Sequence, residues 1–335
     1  MAQNRSRFRD RVRRGLDHYG RLLAAYVARR PSHLTFWHDA PEPNPRAVAG
    51  TLGEYHMTFR AKADYPGPYD GRGVPLLDYH GAIGRQYNPI AIAQWGLGNF
   101  NRFKETGDED RRRRFLVAAN WLAANLEPNR QGVWVWHHRF DWPYRETLRA
   151  PWYSALAQGQ GVSLLVRAFH ETGEERYFEA ASRAFRAFTI DVGHGGVSYW
   201  DEAGRIWFEE YLVDPPSHIL NGFIWASWGV YDYALLARDD EAMRLFDSAV
   251  QTLAANLDRY DTGYWSLYEL SRTRLPMLAS PFYHRLHIVQ LEVMAQLTGQ
   301  AVFRDFARRW EGYERDPRKR YRALAGKVLF KLLHY

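Results

Sequence analysis

Cysteine is missing from all 335 residues, which excludes disulfides and thiolate metal sites and leaves the redox compartment open. Long apolar runs are missing too, and no stretch reaches the ~20 residues that a membrane-spanning helix needs. Met1 to Arg30 lacks the unbroken apolar core of a signal peptide, because Arg21 interrupts it and Arg29 and Arg30 end it. The segment reads instead as a basic amphipathic helix around Leu16, Tyr19, Leu22, Leu23 and Tyr26. The expectation is a cytoplasmic protein with, at most, peripheral membrane contact through that helix. Recognised nucleic-acid motifs are absent. The runs Arg111 to Arg114 and Arg318 to Arg322 read as solvated helix faces or a tail.

What is present is a globular composition, 46% apolar, with an unusual load of aromatics at 16%, including 13 Trp and 21 Tyr. Most of these serve the core, but flat apolar faces also line sugar-binding clefts. The formal charge of +7 suits a polyanionic partner.

Four segments follow one plan: a helix of small and apolar residues, a short polar turn, then an amphipathic helix. They run from Pro89 to Leu126, Tyr153 to Ile190, Ser217 to Leu257 and Phe282 to Arg315. Their turns at Thr106-Gly107, Thr172-Gly173, Arg238-Asp239 and Thr298-Gly299 recur every roughly 60 to 66 residues. Between the pairs lie strand-like stretches bounded by glycine: Gly132 to Trp136, Gly195 to Trp200 with Ile206 to Phe208, and Gly263 to Tyr268. The expected fold is mainly α, an incomplete α/α toroid of about four helix pairs. Inner helices such as Ala155 to Val166 and Ile219 to Val230 are apolar nearly all round. Outer helices such as Glu175 to Phe188 and Glu241 to Leu257 wrap them. Each hairpin joins an outer helix to the next inner one, so all gather at one end, where a cleft forms. Residues 1–88 are expected to be an N-terminal helix and irregular arm packed on a toroid of residues 89–335.

Three stretches carry a resemblance. They are Trp207-Phe208-Glu209-Glu210-Tyr211 with Pro215 to Phe223, Trp152 to Gln160, and Tyr268-Glu269-Leu270-Ser271 with Phe282-Tyr283-His284-Arg285-Leu286-His287. Together they resemble the C-terminal catalytic domain of the D-glucuronyl C5-epimerases, which invert C5 of glucuronic acid within a heparan or heparosan chain. In that family the motifs read Glu-Glu-Tyr, Tyr-Asp-Leu-Arg and Asp-Tyr-His-x-x-His. Matched residue by residue, they imply Tyr211, Tyr268 and Tyr283 as catalytic tyrosines with Glu210 beside them. Glu209 is expected to pair with an arginine. The segment from Tyr87 to Leu97 looks like the family's opening of the first inner helix. Tyr87, Gln94, Tyr153, Gln158 and Asn221 are then substrate-cleft candidates, and Arg85 is a bidentate partner for a carboxylate. His284 and His287, three residues apart, lack an obvious carboxylate third ligand, so packing or substrate contact is expected rather than a metal. No cofactor is implied.

Two departures stand out. Ser271 occupies the family's arginine position, which leaves Arg272 or Arg274 to neutralise the substrate carboxylate from a neighbouring place. The animal enzymes also carry a large β domain ahead of their helices, whose grip on substrate or role in dimerisation is here either missing or replaced by residues 1–88. The expected partner is an acidic polysaccharide, with a homodimer kept as an option. The residues alone leave other readings open: a polysaccharide lyase sharing the first step, a glycoside hydrolase using Glu210 and a second carboxylate, and a glycan-binding module without chemistry.

Overall fold

The structure, a computed structural model, describes residues 33–271 and 276–334. The helix expected within residues 1–30, together with Arg272 and Arg274, lies outside the described residues. Eleven α-helices are described: α1 (His33–Trp37), α2 (Arg60–Ala63), α3 (Pro89–Thr106), α4 (Glu109–Ala124), α5 (Ala155–Thr172), α6 (Glu175–Phe185), α7 (Leu220–Ala237), α8 (Asp240–Asn256), α9 (Pro281–Thr298), α10 (Ala301–Arg315) and α11 (Pro317–His334). None of them is long and apolar enough to cross a membrane.

The inner helices are α3, α5, α7 and α9. Three of them start on side-chain caps. Asn88 accepts from the Ile90 and Ala91 amides, Ser154 from Ala157 and Ser280 from Tyr283, and Pro89 and Pro281 occupy first-turn positions. They end on the repeated Thr-Gly turn. The Thr106, Thr172 and Thr298 hydroxyls donate back to the carbonyls of Arg102, Ala168 and Met294, and each hydroxyl oxygen accepts the amide two residues on. Helices α3, α5 and α7 are buried on almost every face through their first three turns, whereas outer α4 buries only Phe115, Ala118, Ala119 and Leu122.

Each outer helix packs on its own inner partner, and the inner helices contact one another in the order α3, α5, α7, α9. The tightest crossing is between α5 and α7. A Cβ on Gly159 would lie 2.5 Å from the Ala226 Cα, and one on Gly229 would lie 2.3 Å from the Gly159 carbonyl oxygen. The fold is thus mainly helical, an α/α toroid with its helix pairs in sequence.

Four two-stranded antiparallel ladders complete the described sheet structure. The first, β1 (Leu77–Asp78) with β2 (Arg85–Gln86), precedes α3. Two lie between α4 and α5: β3 (Glu127–Pro128) with β4 (Trp134–Val135), and β5 (Trp142–Pro143) with β6 (Thr147–Leu148). The last, β7 (Ser198–Trp200) with β8 (Ile206–Phe208), lies between α6 and α7. The stretch Gly263 to Tyr268 differs from the hairpin expected there. It makes isolated bridges, Asp261 with Ser266 and Leu267 with Leu278, because its polar groups are shared among several neighbours rather than one partner strand.

Residues 44–57 tie the other ends of all four inner helices together. Arg46 donates to the Lys104 carbonyl on α3, and Arg167 on α5 to the Gly53 carbonyl. The Gly50 amide donates to the Tyr231 hydroxyl on α7, and Gln296 on α9 to the Ala47 carbonyl. Behind this strap the Asp232 carboxylate is held by a two-pronged Arg167 at 2.6 and 3.1 Å and by His56 at 3.1 Å, all fully buried. The Arg167 charge beside it keeps Asp232 well below the usual carboxylate range, against the effect of burial.

Candidate active site

Strand β8 is buried along its length and runs straight into Glu209-Glu210-Tyr211. The Glu209 backbone pins this turn, its amide donating to the Val197 carbonyl and its carbonyl accepting the Ala155 amide at the start of α5. Its side chain does not pair with an arginine. It accepts the Ser217 and His218 amides at 3.2 and 3.1 Å, and its other oxygen lies 2.6 Å from His218 Nδ1. The His218 ring in turn stacks on Trp207, 4.2 Å between ring centres. Glu209 therefore holds the 211–219 loop in place.

The next carboxyl, Glu210, projects to the first turn of α7. It is 5% exposed, and the Asn221 side-chain amide reaches it at 3.4 Å. A Cβ on Gly222 would fall 2.2 Å from Glu210 Oε2, so glycine there lets the carboxyl rest against the helix. Burial, with the Glu269 and Glu209 charges adding to it, raises Glu210 to about 8, although Tyr211 and Asn221 bond to it. Glu210 is therefore largely a neutral acid at pH 7.

Two half-buried tyrosines, Tyr211 and Tyr268, stand beside that carboxyl, and two more, Tyr144 and Tyr283, pack on them. Tyr211 lies with its ring 4.6 Å from Tyr144 and 5.7 Å from Trp152. Tyr268 is set by its backbone, whose amide donates to the Met277 carbonyl at 2.7 Å and whose carbonyl accepts the Leu220 amide opening α7 at 3.1 Å. Its ring meets Tyr283 edge-on at 4.8 Å. Tyr283 sits in the first turn of α9 beside Phe282 and His38. Burial first, and then Glu210 and the neighbouring phenols, push Tyr211 and Tyr268 well above their ordinary range.

Glu210, Tyr211, Tyr268, Tyr283 and Asn221 thus come from three separate stretches into one cluster. Sequence reading missed Tyr144 and Glu269, which join it. The Tyr144 hydroxyl and the Ser271 hydroxyl each donate to Glu269, which is 3% exposed. The signal was Trp142 and Tyr144 alternating around Pro143, but strands of two residues leave little pattern to find.

The other expected residues have partners elsewhere. Arg85 on β2 reaches Asp78 at 3.6 Å and is largely exposed. Tyr87 stacks on Trp121 and donates to Asp70 at 2.8 Å. Tyr153 donates to the Gly195 carbonyl at 3.0 Å. Gln158 accepts the Trp136 amide and donates to the carbonyls of Trp134 and Ala184, fastening the β4 segment to α5. Gln94 is fully buried, and neither end of its amide meets a partner among the described residues. His284 stacks on Trp265 at 3.7 Å, accepts the Ser266 amide, and has Nε2 at 3.0 Å from the Trp310 carbonyl. His287 Nδ1 lies 3.0 Å from the Ser266 hydroxyl. Burial lowers His284 to about 4 and His287 well below its ordinary value, so both are neutral rings joining the 263–268 stretch to α9. Arg272 lies outside the described residues. Among the described residues, no group of three or more His, Asp or Glu side chains is placed to hold a metal ion.

Residues 128–312 match a family model described as the D-glucuronyl C5-epimerase C-terminus. The chain is 35% identical over 215 residues to a D-glucuronyl C5-epimerase of Caenorhabditis elegans, covering 59% of this chain and 34% of that one. It is 29% identical over 179 residues to an uncharacterized protein of Methanocaldococcus jannaschii, covering 52% of this chain and 56% of that one. The chain therefore spans between 34% and 56% of the length of these curated relatives. Among solved structures it is similar in fold to the cellobiose 2-epimerase of Spirochaeta thermophila. The TM-score is 0.51 at 12% identity, over 87% of this chain and 82% of that one.

Proposed function

The chain belongs to the D-glucuronyl C5-epimerase C-terminal family, and from that premise we propose that it inverts C5 of D-glucuronic acid residues within an acidic, heparosan-like polysaccharide. The observation that carries this reading is a buried carboxyl, Glu210, raised to about 8, with Tyr211 and Tyr268 beside it and Tyr144 and Tyr283 packed on those two rings.

The C5 proton of a glucuronate is hard to remove because the electron pair left behind flows into a carboxylate that is already negative. The site must supply donors to that carboxylate, a base on one face of the sugar and an acid on the other. A neutral Glu210 is such a donor, since a carboxyl kept protonated at pH 7 can hydrogen-bond to developing negative charge. Tyr211 comes from the β8 end, Tyr268 from the α8–α9 connection and Tyr283 from the first turn of α9, so phenols arrive from separate elements to serve the two faces. One breaks the C5–H bond and the other delivers a proton from the opposite side, restoring the carboxylate with inverted C5. Free of substrate, burial holds Tyr211 and Tyr268 neutral, the state required of the acid. The phenol acting as base needs a counter-charge to lower its pKa when substrate is in place.

The test is incubation with heparosan in D2O, reading deuterium at C5 together with ultraviolet absorbance from any unsaturated uronate. Deuterium entry without absorbance is expected. Tyr211→Phe and Tyr268→Phe should each slow exchange by at least ~10²-fold, the usual weight of a positioned acid or base. Absorbance with chain cleavage would overturn the assignment in favour of elimination, and exchange undiminished in both variants would remove the tyrosines from it.

A further inference from the structure

The family's arginine position holds Ser271, whose hydroxyl is turned to Glu269. A site that abstracts a proton beside a carboxylate still needs a cation, and the structure offers one from another element. Tyr144 and Arg145 stand together at the tip of the β5–β6 hairpin. Tyr144 is inside the cluster, with its ring against Tyr211 and its hydroxyl on Glu269. The Arg145 guanidinium carbon lies 5.5 Å from the centre of the Tyr144 ring, and Nη2 donates to the carbonyl of Pro215, on the loop that follows Tyr211.

Three properties single Arg145 out. Among the described residues it has no carboxylate within 4.0 Å, whereas its neighbours in sequence, Arg139 and Arg149, are paired with Glu127 and Asp141. A guanidinium carries five N–H donors in a planar fork, so one bond to Pro215 leaves donors for a carboxylate. Its side chain is exposed, as a group meeting an incoming ligand must be. Burial and Glu269 push Tyr144 well above its ordinary range, and the Arg145 charge acts on it in the opposite direction.

We propose that Arg145 binds the C6 carboxylate of the hexuronate and supplies, from the β5–β6 hairpin, the positive charge absent at Ser271. This rests on the epimerase reading for the identity of the sugar, but it is a claim about binding that can be measured without turnover.

The experiment compares wild type, Arg145→Gln and Arg145→Lys, with unchanged melting temperatures confirming the fold. Each is titrated calorimetrically at low salt with heparosan oligosaccharides and with the same oligosaccharides carboxyl-reduced to glucose units. C5 exchange is measured in parallel. Wild type should prefer the carboxylated chains. Arg145→Gln should lose ~10-fold or more of that affinity, as expected for one charge-assisted hydrogen-bonding group, with no loss for the reduced chains. Arg145→Lys should recover part of the preference. Where exchange is seen, its KM should rise in Arg145→Gln. A wild type with no preference for the carboxylate, or a preference fully kept in Arg145→Gln, overturns the assignment. Lost preference in a protein that shows no C5 exchange keeps Arg145 as the carboxylate ligand and sinks the epimerase reading. Exchange in wild type with KM and preference unmoved by Arg145→Gln does the reverse.

Discussion

Two adjacent glutamates at the end of β8 take opposite parts because their surroundings differ. Glu209 accepts two backbone amides and sits beside His218, while Glu210 faces a helix turn, Asn221 and phenols. The consequence for pH is specific. Folded Glu210 keeps its proton to about pH 8, whereas in the unfolded chain the ordinary value is 4.5. The unfolded state therefore binds fewer protons across this window, and stability falls as pH rises through it, by roughly 1.4 kcal/mol per pH unit for one such group. Glu210→Gln cannot ionise. Urea unfolding at pH 5 and pH 8 should show the wild type losing stability relative to the variant by a few kcal/mol. Parallel behaviour of the two proteins would show that Glu210 is already ionised in the fold. Tyr211, Tyr268 and Tyr283 could be named from the sequence because their motifs are contiguous. Tyr144 and Glu269 could not, because what marks them is a hydrogen bond between residues 125 apart in the chain.

The helices were legible as elements because their signals are local: an apolar stripe, a capping Asn or Ser, and a Thr-Gly stop. The Thr-Gly turns fall where the repeat places them, with Gly107, Gly173 and Gly299 at φ near +70°. The hairpins were less legible. β5–β6 went unseen, and the 263–268 stretch forms bridges rather than a ladder, since strands of two or three residues owe their conformation to neighbours rather than to their own alternation. How closely the inner helices approach was also hidden in the sequence, and it gives a test. Gly159→Ala places a methyl 2.5 Å from the Ala226 Cα, against backbone that cannot swing aside. It should destabilise the protein by about 1–3 kcal/mol despite alanine's better helix propensity. An unchanged or raised melting temperature would mean that α5 and α7 are set further apart.

At the scale of the whole molecule, the hairpins and loops carrying the tyrosines occupy the N-terminal ends of the inner helices, while residues 44–57 bind their C-terminal ends. The buried Arg167–Asp232–His56 group lies under that strap. Breaking such a pair from one side leaves an uncompensated charge, so Arg167→Ala should cost about 3–5 kcal/mol in chemical denaturation. A cost below 1 kcal/mol would show that water reaches Asp232. By itself the sequence determined the helical repeat, its turns, the apolar inner helices and the Glu210–Tyr211 and Tyr268–Tyr283 motifs, because each is written in residues a few positions apart. Only the tertiary structure decided that Tyr144 and Glu269 join the cluster, that Arg145 stands at its edge, and that the two glutamates diverge. Those outcomes depend on burial and charge contributed by elements distant in sequence, and solvation and Coulomb energies follow position in space.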